Sequence, residues 1–128
     1  MKGLSLLVLS GSLVLIIDQA FKFFVFKQYF SYNKALFFGI ITNPFLIGFI
    51  LIGALFFLSF FAYVHLEKAI AMIGIGLIFG GALSNLIDRL FVGAVVDYIA
   101  LFWGISKTNL ADIAIIGGIA IIGREYLR

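Results

Sequence analysis

Asp97 and Asp112 each stand beside a polar partner, at points where a very apolar chain should leave a membrane. Two carboxylates brought close in a low dielectric cannot both ionise easily, so one keeps its proton while the other stays charged. Hydrolysis of an amide by activated water needs that division. The charged carboxylate takes a proton from water as the water attacks the carbonyl, and the protonated one stabilises the oxyanion and passes a proton on. Other polar side chains recur at helical spacing: Asp18 with Lys22, Asn85 with Asp88 and Arg89, and Asn109 three before Asp112. Residues three and four apart share one helix face. Asn33 falls in a loop at the same end of the chain's topology as these groups.

Each group also has a plainer reading. Asp18 and Lys22 read equally as a buried structural ion pair and as part of a site. Thr108-Asn109-Leu110-Ala111-Asp112 fits an N-cap Asn followed by an acidic residue, so capping and catalysis are evenly matched there. Competing chemistries lack residues. The chain has no Cys, which removes thiolate nucleophiles and thiolate metal sites, and His65 is its only His. His65 has no second His at helical spacing for zinc, and it lies at the end opposite Ser84, which denies that hydroxyl a base. No metal or other cofactor is expected.

The elements that position these residues follow from composition. Apolar residues make up 64% of the 128, charged residues 12%, Phe occurs 16 times, and mean hydropathy is +1.24. Lipid, rather than a soluble core, suits such a chain. Four spans of about 20 residues use most of it, so residues 1–128 read as a single membrane-embedded domain. The spacing predicts spans over about Leu4 to Phe26, Pro44 to Val64, Ala69 to about Ile87, and from near Asn109 reaching Arg124 to Arg128. His65-Leu66-Glu67-Lys68 forms a tight turn. The first span continues well past Ser10-Gly11-Ser12, which argues against a cleaved leader. An even number of spans puts both termini on one side. Lys2, Lys68, Arg124 and Arg128 on that side face Lys27, Lys34, Arg89 and Lys107 on the other, a tie for orientation. No basic run suits phosphates, so nucleic acid is discounted as a partner.

Small residues should let the helices approach: Gly76, Gly80 and Ser84 on the third span, Ala111, Ala114 and Gly118 on the fourth. Gly93-Ala94-Val95-Val96-Asp97-Tyr98-Ile99 is β-branched, so Asp97 should ride on a short extended segment, with Asp112 on the opening turn of the fourth helix. The fold expected is an all-α four-transmembrane-helix bundle with a short, partly extended extracytoplasmic segment between helices 1 and 2. The polar residues gather in one leaflet, which points to one site.

These residues resemble the bacterial lipoprotein signal peptidase family, also called signal peptidase II. Asp18-Gln19 with Lys22 looks like its first motif, and Asn33 with Phe38-Gly39 like its second. Gly80 to Arg89, then Gly93 and Val96-Asp97-Tyr98, looks like the third, and Asn109-Leu110-Ala111-Asp112 like the fourth. The resemblance implies a membrane aspartic endopeptidase with Asp97 and Asp112 as its dyad, cutting just before a diacylglyceryl-modified Cys. It also implies that Asn33, Asn85, Arg89 and Asn109 hold the substrate backbone or lipid, while Asp18 supports the site. Ser84 and Thr108 depart from the family's usual Gly and Phe, and Ala35, Leu36 and Phe37 from smaller residues. The segment from Gln28 to Asn43 is short for the family's substrate cradle.

The expected partners are a diacylglyceryl-modified prolipoprotein and membrane lipid, with a monomer sufficing. The expected location is the bacterial cytoplasmic (inner) membrane, termini cytoplasmic and site extracytoplasmic. The scissile bond must be extended, because a helical peptide ties up its carbonyls. Phe37, Phe38, Phe102 and Trp103 read better as an interfacial belt than as the mouth of the site. Two rivals are a silent homologue that binds lipidated peptides and a small proton- or ion-conducting bundle using Asp18, Lys22, Asp88, Arg89, Asp97 and Asp112 as a relay. Intact Asp97 and Asp112 oppose the first, and the confinement of charge to one leaflet opposes the second.

Overall fold

Lys2–Val25 forms α1, Pro44–Val64 α2, Ala69–Phe91 α3 and Leu110–Tyr126 α4. A computed structural model describes residues 2–25, 31–33, 43–64, 68–104 and 106–127 of the chain. Three expectations therefore lie outside the described residues: most of the Gln28 to Asn43 segment with Phe37, Phe38 and Gly39, the His65-Leu66-Glu67 part of the turn, and Phe26 as the end of the first span.

The third helix is the hub, packed along α1 on one side and α4 on the other, with a lighter contact to α2. Backbone proximity makes this possible. A Cβ on Gly80 would run into the α1 backbone at Gly11, and one on Gly81 would lie 2.5 Å from the Ala111 carbonyl of α4. The small-residue faces predicted on α3 and α4 are thus present, although α3 uses two of them. Ser84, read as part of the packing stripe, instead spends its hydroxyl on a carboxylate. Met72 and Ile75 are fully buried, with Leu6, Leu7, Phe61 and Ile122 around them. Outward, the same helices present Phe23, Phe49 and Phe56, each more than three-quarters exposed. Asp18, Lys22, Asp88 and Asp97 lie inside and these aromatics outside, the reverse of a water-soluble protein. Among the described residues, α1 and α3 are long and apolar enough to cross a membrane. The 21-residue α2 carries no charged residue.

α3 runs on to Phe91, past the Ile87 expected from hydropathy, because Asp88 turns inward and keeps its polar group from lipid. Val92 caps the helix, and Gly93 at φ 79° then turns the chain in a conformation that suits a residue without Cβ. Four short strands follow the extended reading of this region. Ser31–Asn33 (β1) pairs antiparallel with Val95–Asp97 (β2), matching Ser31 to Asp97 and Asn33 to Val95. Ile99–Leu101 (β3) pairs with Ser106–Thr108 (β4), matching Ile99 to Thr108. The hairpin tip, Phe102–Gly104, holds Phe102 and Trp103 at φ 48° and 55°, with Trp103 fully exposed. Tyr98 is the single residue between β2 and β3, and Asn109 the one between β4 and α4.

Candidate active site

One amide side chain joins the two aspartates singled out from the sequence. Asn109 sits in extended backbone at the N-cap of α4, and its Oδ1 accepts the Asp112 N–H at 2.8 Å. Its Nδ2 donates to Asp97 Oδ1 at 2.7 Å. The cap thus fixes where Asp112 enters the helix and where Asp97 ends β2. Asp112 does not return the bond as a capping box would. Its Oδ1 accepts from Asn85 Nδ2 at 2.8 Å and its Oδ2 from Thr108 Oγ1 at 3.2 Å. Capping thus belongs to Asn109, and the Asp112 carboxylate is turned toward α3 and β4.

Behind this pair lies a buried ion network. Lys22 Nζ pairs with Asp18 Oδ2 at 2.7 Å and Asp88 Oδ2 at 2.6 Å, and donates to Asn85 Oδ1 at 3.2 Å. One ammonium has three donors, and here all three are used. Asp18 and Lys22 do form a buried ion pair, and through Asn85 it connects to Asp112. Asp88 accepts the Val96 N–H at 3.0 Å, which ties β2 to α3 one residue before Asp97. Asp18 accepts from Ser84 Oγ at 2.7 Å, from Tyr98 Oη at 2.8 Å and from the Ala111 N–H at 3.2 Å. Gln19 Nε2 donates to Ser84 Oγ and to Asp88 Oδ1, each at 2.9 Å.

The start of α4 is accordingly satisfied from three directions. A helix leaves its first N–H groups without partners in the helix itself. Here the Leu110 N–H donates to Tyr98 Oη at 3.2 Å, that of Ala111 to Asp18, and that of Asp112 to Asn109. Burial, and then the bond to the Asp18 carboxylate, push the Tyr98 phenol well above its ordinary value, so it stays a donor. Its ring stacks on Phe21 at 6.0 Å.

Arg89 stands at the edge of this network. Its Nη1 donates to the Asn85 carbonyl at 3.3 Å, while Nε is buried without a protein partner, alone in this among the described residues. Asn33 is placed by backbone pairing opposite Val95, on the strand beside the one that carries Asp97. Asp18, Lys22, Asn85, Asp88, Asp97, Asn109 and Asp112 therefore come together. Sequence reasoning left Gln19, Ser84, Tyr98 and Thr108 out of the site. Each adjoins a residue it did select, and that adjacency was the available signal.

The chain is similar to known proteins over most of its length. The family model described as signal peptidase (SPase) II matches residues 10–128. The lipoprotein signal peptidase of Moorella thermoacetica is 31% identical over 94% of this chain and 91% of its own length. That of Aquifex aeolicus is 36% identical over 84% of this chain and 68% of its own. Two bacterial membrane enzymes solved by the in meso method are 25% identical, with TM-scores of 0.80 and 0.81. The alignments cover 94% and 95% of this chain, and 87% and 92% of those. The chain belongs to the signal peptidase II family and is a membrane peptidase of lipoprotein processing.

Proposed function

We propose that the peptidase is of the aspartic type, with water activated between Asp97 and Asp112 and no metal required. The observation that carries this reading is Asn109, which bonds the Asp97 carboxylate with one end of its amide and the Asp112 backbone with the other. The ionised member of the pair takes a proton as the water oxygen bonds to the amide carbon. The protonated member donates to the carbonyl oxygen, and collapse of the tetrahedral species releases the amine with a proton. Substrate is a diacylglyceryl-modified prolipoprotein, held extended against β1 and β2. Asn33 lies on that surface, and Arg89 Nε is the one buried side-chain N–H among the described residues without a protein acceptor, fit for a substrate carbonyl or lipid oxygen. Asp18, Lys22, Asp88 and Asn85 hold the dyad in place.

In this reading residues 1–128 form one domain of the inner membrane, and all four helices span it. The 17 residues of α4 reach about 26 Å, slightly less than the hydrocarbon core, which puts Asn109 and Asp112 close to its edge. With Arg89 assigned to the site, the basic count becomes four on the terminal side against three, favouring cytoplasmic termini and an extracytoplasmic site. Phe102 and Trp103 then meet lipid at the interface. The dyad, the network and the substrate face are all contained in one copy, so a monomer suffices.

The test is cleavage of a diacylglyceryl-modified prolipoprotein in detergent or bilayers, followed by gel shift. Wild type should cut with or without chelator. Asp97→Asn and Asp112→Asn, each folded, should lose activity by roughly 10⁴-fold or more. Cleavage by either folded variant would overturn the dyad.

A further inference from the structure

Asp112 is approached by donors from separate elements. Asn85 on α3 serves Oδ1 at 2.8 Å, and Thr108 at the end of β4 serves Oδ2 at 3.2 Å. Asp112 is also the third residue of a 17-residue helix, where the aligned peptide dipoles favour negative charge. Thr108 itself cannot drift. It pairs with Ile99 across the hairpin, and its carbonyl accepts the Tyr98 N–H at 2.9 Å.

We propose that Thr108 is a positioning residue: its hydroxyl keeps Asp112 as the ionised member of the dyad, so Asp112 takes the water's proton and Asp97 begins with the shared one. This rests on the aspartic reading above. Both oxygens of Asp112 accept hydrogen bonds: a proton on Oδ1 would compete with the Asn85 donor, and one on Oδ2 would force the Thr108 hydroxyl from donor to acceptor. Two neighbouring carboxylates hold one proton more readily than none, so the proton excluded from Asp112 resides on Asp97. In the first step the water oxygen bonds to the amide carbon and the water's proton goes to Asp112. The carbonyl π bond breaks, and its oxygen receives the proton of Asp97.

The experiment compares Thr108→Val, which keeps shape and β-branching without the hydroxyl, with Thr108→Ser, which keeps the hydroxyl. The full-length chain in bilayers is assayed for kcat and KM on a diacylglyceryl-modified prolipopeptide. Thr108→Val should lower kcat roughly ten- to hundredfold, the worth of a hydrogen bond to a charged group, and leave KM within about twofold. Thr108→Ser should approach wild type. In the Val variant the acid side of the kcat profile should move to higher pH. The charged groups nearest Asp112 are retained there: Arg89, which bonds the Asn85 carbonyl, Lys22 with its partners Asp18 and Asp88 behind Asn85, and Asp97, whose partner Asn109 also takes the Asp112 N–H. An unchanged kcat in Thr108→Val, a rise in KM alone, or a Ser variant as impaired as Val would each overturn the proposal. Thermal unfolding checks the fold, and Thr108→Ala takes the place of Val if Val does not fold. Asp97→Asn and Asp112→Asn run alongside. Activity in either would sink the aspartic reading itself, whereas two dead variants beside a fully active Thr108→Val would sink only the role of Thr108.

Discussion

The two ends of α3 follow opposite rules. Toward Ala69, Met72 and Ile75 pack against Leu6, Leu7, Phe61 and Ile122, and the Gly76 backbone lies against α1 at Leu7 and Ser10. Toward Phe91, Ser84, Asn85 and Asp88 meet Asp18, Gln19 and Lys22 through hydrogen bonds and ion pairs. Lipid is as apolar as Leu, so helices in a membrane gain little by burying apolar faces against each other. The apolar end must rely on close fit and the polar end on satisfied charges. In the proposed aspartic reading the polar end is also the part that chemistry needs, since a reactive carboxylate must be held without being neutralised. One helix therefore tolerates different kinds of damage at its two ends.

Four experiments press on that contrast. Lys22→Met would leave Asp18 and Asp88 buried without their cation, each 3% exposed or less. It should cost about 3–5 kcal/mol of stability and abolish cleavage, read by thermal unfolding in detergent and by gel shift. Retention of both would show that the network is ornamental. Gly76→Val strikes the apolar end, where a Cβ would overlap Ser10 and Leu7. About 1–3 kcal/mol of stability should be lost, while the folded fraction keeps its turnover per molecule. Inactivity of that folded fraction would mean that the two ends are not independent.

Tyr98→Phe removes the donor to Asp18 and the acceptor for the Leu110 N–H. It should cost about 1–3 kcal/mol near neutrality. The phenol titrates higher in the folded protein than in the unfolded chain, so its contribution is intact below about pH 10 and falls as the pH rises past that value. The Phe variant should show a shallower alkaline loss of stability than wild type. An equally steep one would place the titration elsewhere. Trp103, the chain's only Trp, should matter least to the fold. Trp103→Ala should stay within about 0.5 kcal/mol of wild type. In vesicles the wild-type indole should emit at short wavelength and be quenched by bromine placed near the lipid headgroups. Quenching by iodide from the water phase would remove the hairpin tip from the interface.

Much of this was legible in the sequence because lipid makes polar residues conspicuous. Pro44 and the charge-free run after it gave the bounds of α2, and the β-branched stretch around Asp97 gave an extended segment. Hydropathy ended α3 too soon at Ile87, since it cannot register that Asp88 turns toward Lys22 and remains helical. Ser84 looked like a packing residue, because small size and hydroxyl chemistry are the same letter. The caps that Asp18 and Tyr98 place on α4 were out of reach: Asp18 meets Ala111 across 93 positions, and no local period encodes such a meeting. Small residues at Gly76 and Gly80 announced one packing face of α3, while Gly74 and Gly81, seven apart, carried the other unnoticed.

The double duty of Asn109 bears on how such a protein is made. Asp97 and Asp112 are ordered by the same amide that begins α4, and α4 is synthesised after the other three helices. Until that helix has inserted and its first turn has closed, Asp97 stands on a strand without its counterpart. If Asp97 and Asp112 are the catalytic pair proposed above, a partly translated chain in the bilayer holds no assembled dyad, and proteolytic competence arrives only as α4 docks on α3.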